Sequence, residues 1–99
     1  MVLNVNAATV SASAATEAGI GTEMATAVAV AAEALTGVMP MGADLDSVQF
    51  AAALNAIGAA YIGTVVEHLT NRGLFAEAQN LAAATYSTTE VVNDTALSL

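Results

Sequence analysis

Apolar and small residues recur at alternating spacings of three and four through the first third of the chain. The stripe starts at Val10, and its only charged member is Glu17. This spacing places every member on one face of an α-helix, so the pattern predicts a first helix with a narrow apolar face. The stripe comprises Val10, Ala14, Glu17, Gly21, Met24, Val28, Ala31, Leu35 and Val38.

Residues typical of helix caps mark both ends of this helix. Asn4 or Asn6 is placed to cap its start, and Gly37 is placed to end it. The only proline of the chain follows between two glycines, which is a strong turn signal. The predicted first helix therefore covers about residues 7–36, and the predicted turn covers residues 37–46.

A second helical pattern follows the turn. Asp46 is followed three residues later by Gln49, a capping-box spacing in which the carboxylate accepts orphan backbone N–H groups. The helix is predicted over about residues 47–92, with a kink allowed near residues 71–73, because glycine costs about 1 kcal/mol relative to alanine inside a helix. Its large residues recur at helical spacing: Phe50, Leu54, Ile57, Tyr61, Val65, His68 or Leu69, and Phe75.

Two helices joined by a short turn form an antiparallel hairpin, so the predicted fold class is all-α, with residues 1–99 in a single domain. Hydrophobic residues make up 57% of the chain, but only two phenylalanines and two tyrosines are aromatic, and alanine dominates the rest. Alanine buries little area, so a hairpin of this composition builds a poor core. We expect it to complete a four-helix bundle with a partner; a marginally stable monomer is the alternative.

The charge of the chain excludes two classes of partner. The formal net charge is −8, and Arg72 is the only basic residue. Nucleic acids require several lysines or arginines to neutralise phosphates, and anionic membrane surfaces attract polybasic segments. We therefore expect neither to be a partner.

The candidate chemistry is sparse. There is no cysteine and one histidine, His68, so the usual zinc sites are excluded. The nine carboxylates do not form the repeated Glu-x-x-His pattern of di-metal bundles. We expect no catalytic residue, no metal and no cofactor, and we expect that the protein is not an enzyme.

A membrane helix is a weighed alternative. Residues 47–66 form a run of twenty without a charge, which is long enough to span a bilayer. However, the run contains Gln49 and Asn55, and neither end carries the Lys or Arg that would set a topology. The first ten residues also lack the positively charged start of a secretory signal peptide.

A tyrosine and a glutamate stand four residues apart near the end of the second predicted helix. Tyr86 and Glu90 would lie on one helix face, where an ordinary surface hydrogen bond between them is the simplest interpretation. As a bare pattern, Tyr-x-x-x-Asp/Glu is common and decides nothing.

The context of this motif carries a resemblance. An alanine-rich hairpin of 99 residues with this turn and this motif resembles the PE family of mycobacteria. Residues 36–50 and 81–90 carry the similarity best, in particular the turn sequence at 38–44. The chain is also similar to EspC-type substrates of the same export systems. The Pro-Glu pair that names the PE family is replaced here by Ala7-Ala8-Thr9.

The resemblance implies a function that composition does not reveal. PE proteins are exported by type VII (ESX) secretion without a cleaved signal peptide, to the cell surface or the medium. They pair with a PPE-family protein into a four-helix bundle, and the partner usually carries the surface bound by an EspG-type chaperone. By this resemblance, Tyr86 and Glu90 are part of the export signal.

We expect the partner to dock on the apolar face of the hairpin, with affinity from buried apolar area. The rival functions are a homo-oligomeric structural bundle and a small membrane-associated hairpin. The predicted interface residues are Val28, Leu35, Phe50, Leu54, Ile57, Tyr61, Val65 and Phe75.

Overall fold

The computed structural model describes residues 4–98, and within them two α-helices account for all regular secondary structure. α1 spans Ala7–Thr36 and α2 spans Leu45–Leu97. The predicted all-α helical hairpin is therefore confirmed. α2 begins before the predicted position 47, ends beyond the predicted position 92, and passes through residues 71–73 as continuous helix.

The first residues of each helix are held by a side-chain cap. The backbone N–H of Thr9 donates to Oδ1 of Asn6 at 3.1 Å, so Asn6 is the cap of α1. At α2, the Ser47 N–H donates to Oδ1 of Asp44 at 2.9 Å, and the Ser47 hydroxyl donates to Oδ2 of the same carboxylate at 2.9 Å. The prediction that Asp46 caps α2 was wrong. Asp44, two residues earlier, accepts the orphan N–H of Ser47, and Asp46 lies inside the first turn of α2.

The described chain divides into two compact units, each built from one segment of α1 and one of α2. We call residues 21–70 the turn unit, and residues 4–20 with 71–98 the terminal unit. That the chain forms a single domain stays a prediction.

In the turn unit the two helices approach closely along a seam of small and apolar residues. Gly58 is buried, and a Cβ added there would overlap the backbone carbonyl of Leu35. Next to it, the Val38 N–H donates to Oδ1 of Asn55 at 2.7 Å, and the Asn55 amide donates to the Val38 carbonyl at 3.1 Å. The Asn55 side chain thereby satisfies backbone groups just past the end of α1.

The terminal unit has a more polar seam. The Arg72 guanidinium donates to Oε2 of Glu17 at 2.7 Å, with about a quarter of each side chain exposed. Nearby, the Gln79 amide donates to the Ser13 hydroxyl at 3.1 Å. Glu17, the one charged member of the α1 stripe, thus faces the only basic residue of the chain.

The α1 stripe predicted from spacing lies on the packed face of the helix. Ala14 is buried, and the other eight members are half-buried. However, the buried hydrophobic residues among 4–98 are four alanines, Ala14, Ala51, Ala76 and Ala83, and no large side chain is fully buried. The hairpin therefore brings its backbones together without enclosing a large apolar core.

The close approach at Gly58 predicts opposite effects for the same substitution at two glycines of α2. Gly58→Ala places a methyl group against the Leu35 carbonyl, and we expect it to lower the free energy of unfolding by about 1–3 kcal/mol. Gly63→Ala meets nothing within 4 Å and should raise that free energy by up to about 1 kcal/mol, because alanine favours the helix. Thermal unfolding of the full chain, followed by circular dichroism, measures both. Equal effects of the two changes would contradict the close packing at Gly58.

The Asp44 cap predicts a local pH dependence. The N–H and then the hydroxyl of Ser47 hold the pKa of the Asp44 carboxyl below its ordinary value. A lowered pKa means that the cap stabilises the folded chain above the unfolded-state pKa, and that this stabilisation is lost as the pH falls through the folded-state pKa. An NMR titration of the Asp44 carboxyl should give that lowered pKa, and Asp44→Asn should remove the acid-induced loosening of the Ser47 amide. A carboxyl that titrates at its ordinary pKa would contradict the cap.

Candidate interaction surfaces

Four large side chains of α2 lie exposed beside the seam of the turn unit. Phe50 is 62% exposed and Ile57 is 67% exposed, and Leu54 and Tyr61 accompany them at spacings of three and four. We call these four residues the α2 apolar stripe. Such a stripe on a helix surface is ordinarily found against another apolar element.

The stripe borders two shallow clefts within the turn unit. One, of about 320 Å³, is lined by Leu35, Leu54, Ile57 and Tyr61, among others. The other, of about 350 Å³, lies nearer the turn and is lined by Met39, Met41 and Phe50, among others. Ridges and clefts of this kind are what a partner helix interdigitates with when helices pack.

The remaining predicted interface residues have different surroundings. Val28, Leu35 and Val65 are half-buried, so the hairpin already covers part of each side chain. Phe75, in the terminal unit, is 54% exposed. Among the predicted interface residues of the turn unit, the exposed side chains are therefore those of the α2 apolar stripe.

Two exposed methionines were missed by the sequence-based prediction. Met39 and Met41 flank the proline of the turn and are 79% and 94% exposed. Their position between proline and glycine indicates a turn and does not by itself indicate a binding surface. Methionine is an adaptable apolar side chain that is frequent at binding surfaces, and its pairing around Pro40 was the available clue.

Tyr86 and Glu90 lie on α2 in the terminal unit, and both are exposed. Neither side chain takes part in the hydrogen bonds or ion pairs found among residues 4–98, so the ordinary Tyr–Glu surface bond is not formed. Both line a cleft of about 660 Å³ together with Ser87 and residues 4–8. The spacing predicted that Tyr86 and Glu90 share a helix face, but not that the segment before α1 lies beside them.

The other features considered were a metal site, the single histidine and a membrane span. Within residues 4–98, no group of three or more histidine, aspartate and glutamate side chains is placed to hold a metal ion. His68 is exposed on α2. By length and composition, α1 and α2 are both apolar enough to cross a membrane, and the apolar windows that qualify are 0% and 11% buried within the hairpin.

Comparison with known protein families identifies the chain. The model of the PE family matches residues 3–93, which is most of the sequence. The chain belongs to the PE family. Neither a curated protein nor a solved structure matched it in the corresponding comparisons.

Membership of the PE family confirms the resemblance carried by the turn and by the C-terminal motif. The match extends through α1, the turn and α2 to position 93, so it includes both Tyr86 and Glu90. At a coarse level, it supports a secreted protein of the PE/PPE type, for which PPE-type partners and type VII secretion are the general expectation. The family match holds although Ala7-Ala8-Thr9 stands where the family's Pro-Glu pair is expected.

Proposed function

We propose that this PE-family protein is a non-enzymatic substrate of type VII (ESX) secretion that pairs with a PPE-like helical partner. In this proposal the partner docks on the α2 apolar stripe, and Tyr86 with Glu90 forms part of the export signal. The protein reaches the cell surface or the medium after a cytoplasmic stage, and an EspG-type chaperone acts through the partner.

One observation supports the proposed pairing with a partner. Large apolar side chains of the hairpin are exposed rather than packed between its two helices. The buried hydrophobic residues among 4–98 are alanines, whereas Phe50, Ile57 and Tyr61 are more than half exposed. Covering apolar surface is worth about 25 cal/mol per Å², so a second pair of helices on this face stabilises the hairpin substantially. A four-helix bundle is the arrangement that supplies such a pair.

The charge of the chain favours a different protein over a second copy. Two identical chains would bring together a net charge of twice −8, and Arg72, the only basic residue, is already paired with Glu17. Two chains of the same charge repel each other, which weakens their association. A less acidic partner would be repelled less. The homo-oligomeric bundle is therefore the less favoured rival.

The export signal is supported by family membership and by the accessibility of the motif. Tyr86 is 41% exposed, and its phenol is not engaged by another side chain among residues 4–98. A tyrosine offers a large apolar ring and a polar hydroxyl, which is why it is enriched at recognition sites. A helical Tyr-x-x-x-Glu pair presents that ring and a carboxylate on one face.

The pairing surface predicts that one introduced charge abolishes the complex. Ile57→Asp puts a carboxylate at the centre of the α2 apolar stripe, where a docked partner would desolvate it, so we expect loss of the complex with a co-expressed PPE-family protein. Ala59→Asp is the matched control, because Ala59 is exposed and two residues along the helix, on the far side from Ile57. Co-purification followed by light scattering gives the stoichiometry.

Two results would contradict this assignment. Survival of the complex with Ile57→Asp would mean that the partner uses another face. A clean, folded homo-oligomer of the lone chain would favour the structural-bundle rival instead.

The export signal predicts that the tyrosine is required for secretion. In a mycobacterial host with an intact type VII system, wild-type protein should appear in the culture filtrate and Tyr86→Ala should stay in the cell pellet. Loss of a tyrosine anchor costs about 2 kcal/mol of binding free energy, which corresponds to an affinity that is roughly 30-fold weaker. Thr88→Ala is the control, since Thr88 is exposed on the same helical turn but lies outside the cleft.

A cytosolic marker reports lysis in this assay. Wild-type protein confined to the pellet would overturn the export proposal, and secretion of Tyr86→Ala at the wild-type level would remove Tyr86 from the signal.

A further inference from the structure

The turn between the two helices is held on both sides of its proline. Before Pro40, Oδ1 of Asn55 accepts the Val38 N–H at 2.7 Å, and the Asn55 amide donates to the Val38 carbonyl at 3.1 Å. After Pro40, Gly42 lies so close to the Asp44 carboxylate that a Cβ added there would be 2.7 Å from Oδ2. The proline ring itself fixes φ. The two residues that flank Pro40 are therefore presented at defined positions.

Those two residues are methionines with accessible side chains. Met39 is 79% exposed and Met41 is 94% exposed, whereas Met24, on α1, is half-buried. The fourth methionine, Met1, lies outside the described residues. The sequence contains no cysteine. Since the susceptibility of a sulfur to oxidation follows its exposure, Met39 and Met41 are the most accessible targets for an oxidant among the sulfur groups of residues 4–98.

Both methionines line, with Val38, Phe50 and Leu54, the cleft of about 350 Å³ near the turn, which we call the turn cleft. Val38 and Leu54 also line the neighbouring cleft beside Ile57 and Tyr61, so the two clefts adjoin. The turn cleft therefore continues the surface on which the proposed partner docks. The occupant that we assign to it is the end of a helix of that partner, because the α2 apolar stripe leads directly into it.

We propose that Met39 and Met41 form an oxidation site through which a peroxide controls docking of the PPE-like partner. In the unpaired chain a peroxide oxidises both thioethers to sulfoxides, and the sulfoxides weaken binding of the partner at the turn cleft. This control rests on the proposed pairing and adds a covalent modification that regulates it.

The oxidation needs no reactant besides the peroxide. A lone pair of the methionine sulfur attacks one oxygen of hydrogen peroxide, so that the S–O bond forms and the O–O bond breaks. The second oxygen leaves with both hydrogens as water, and the two electrons that the sulfur loses reduce the peroxide. The product is a polar side chain in place of an apolar one, and methionine sulfoxide reductases reverse the change.

Oxidation changes the turn cleft at the point where the partner covers it. Reduced methionine is an adaptable apolar side chain, and covering it is favourable. A sulfoxide oxygen loses its hydrogen bonds to water when an apolar helix covers it, so docking becomes less favourable. Because Asn55 and the Asp44 cap hold the turn on both sides, the backbone has little freedom to move the sulfoxides away from the partner.

Two double substitutions test the site in the complex with a PPE-family protein. Met39→Gln with Met41→Gln introduces polar side chains of similar length, as oxidation does, and should weaken binding about tenfold or more. Met39→Leu with Met41→Leu keeps apolar side chains of similar volume and should bind normally with and without hydrogen peroxide treatment. Val30→Gln with Leu45→Gln is the matched control, since both are exposed apolar residues and neither lines the turn cleft. Titration of the tagged partner with each chain measures the affinity.

Mass spectrometry identifies the residues that hydrogen peroxide oxidises in the wild-type chain. Proteolysis at Glu23, Glu33 and Asp44 places Met24 in one peptide and the two turn methionines together in the next. We expect the turn methionines to be oxidised before Met24 and to be protected in the complex. Equal oxidation of Met24, or equal oxidation of the turn methionines with and without the partner, would contradict the assignment.

The outcomes separate the oxidation site from the proposed pairing. Failure of the reduced wild-type chain to bind the partner would overturn both. Unchanged binding of the wild-type chain after oxidation of both turn methionines, or normal binding of the variant with Met39→Gln and Met41→Gln, would overturn the oxidation site and leave the pairing standing. Peroxide that weakens the variant with Met39→Leu and Met41→Leu as much as the wild type acts at another residue, which would also overturn the site. The site requires weak binding of the oxidised wild type and of the glutamine variant, with the leucine variant and the matched control binding normally.

Discussion

The close approach of two helix backbones is the constraint on which the rest of the hairpin depends. At Gly58 there is no room for even a β-carbon against the Leu35 carbonyl, and the buried hydrophobic positions among residues 4–98 are alanines. Small residues let helices approach, but they leave no space between them for large side chains. Phenylalanine, isoleucine and tyrosine must therefore lie outside the seam, so the packing inside the hairpin and the apolar surface outside it have one cause.

The two units solve the same packing problem with different chemistry. In the turn unit the helix backbones lie close together, and the side-chain amide of Asn55 forms hydrogen bonds with the backbone N–H and carbonyl of Val38. In the terminal unit, Glu17 and Arg72 form an ion pair across the seam. A polar pair in an otherwise apolar seam adds little stability, but it disfavours alternative registers that would leave a half-buried charge unpaired.

Much of this structure was predictable from spacing alone, because helical periodicity is a local property. The α1 stripe, including Glu17, lies on the packed face as expected, and Asn6 caps α1. The cap of α2 was misassigned because Asp44 and Asp46 both precede an apolar run, and only the geometry of the turn selects between them. The cleft beside Tyr86 was not predictable, since it depends on which part of α1 lies opposite, a long-range relation that no local pattern encodes.

The scarcity of basic residues, with Arg72 bound to Glu17, also affects how the protein can be detected. Trypsin cleaves after lysine and arginine, so a chain with no lysine and one arginine has a single cleavage site, after Arg72. That site lies inside a helix, with its guanidinium bound across the seam, so cleavage requires the hairpin to open. Within these 99 residues trypsin has no second site, so the sequence contains no internal tryptic peptide for routine mass spectrometry. A protease that cleaves at acidic residues, of which this sequence has nine, is the better choice for detecting the protein.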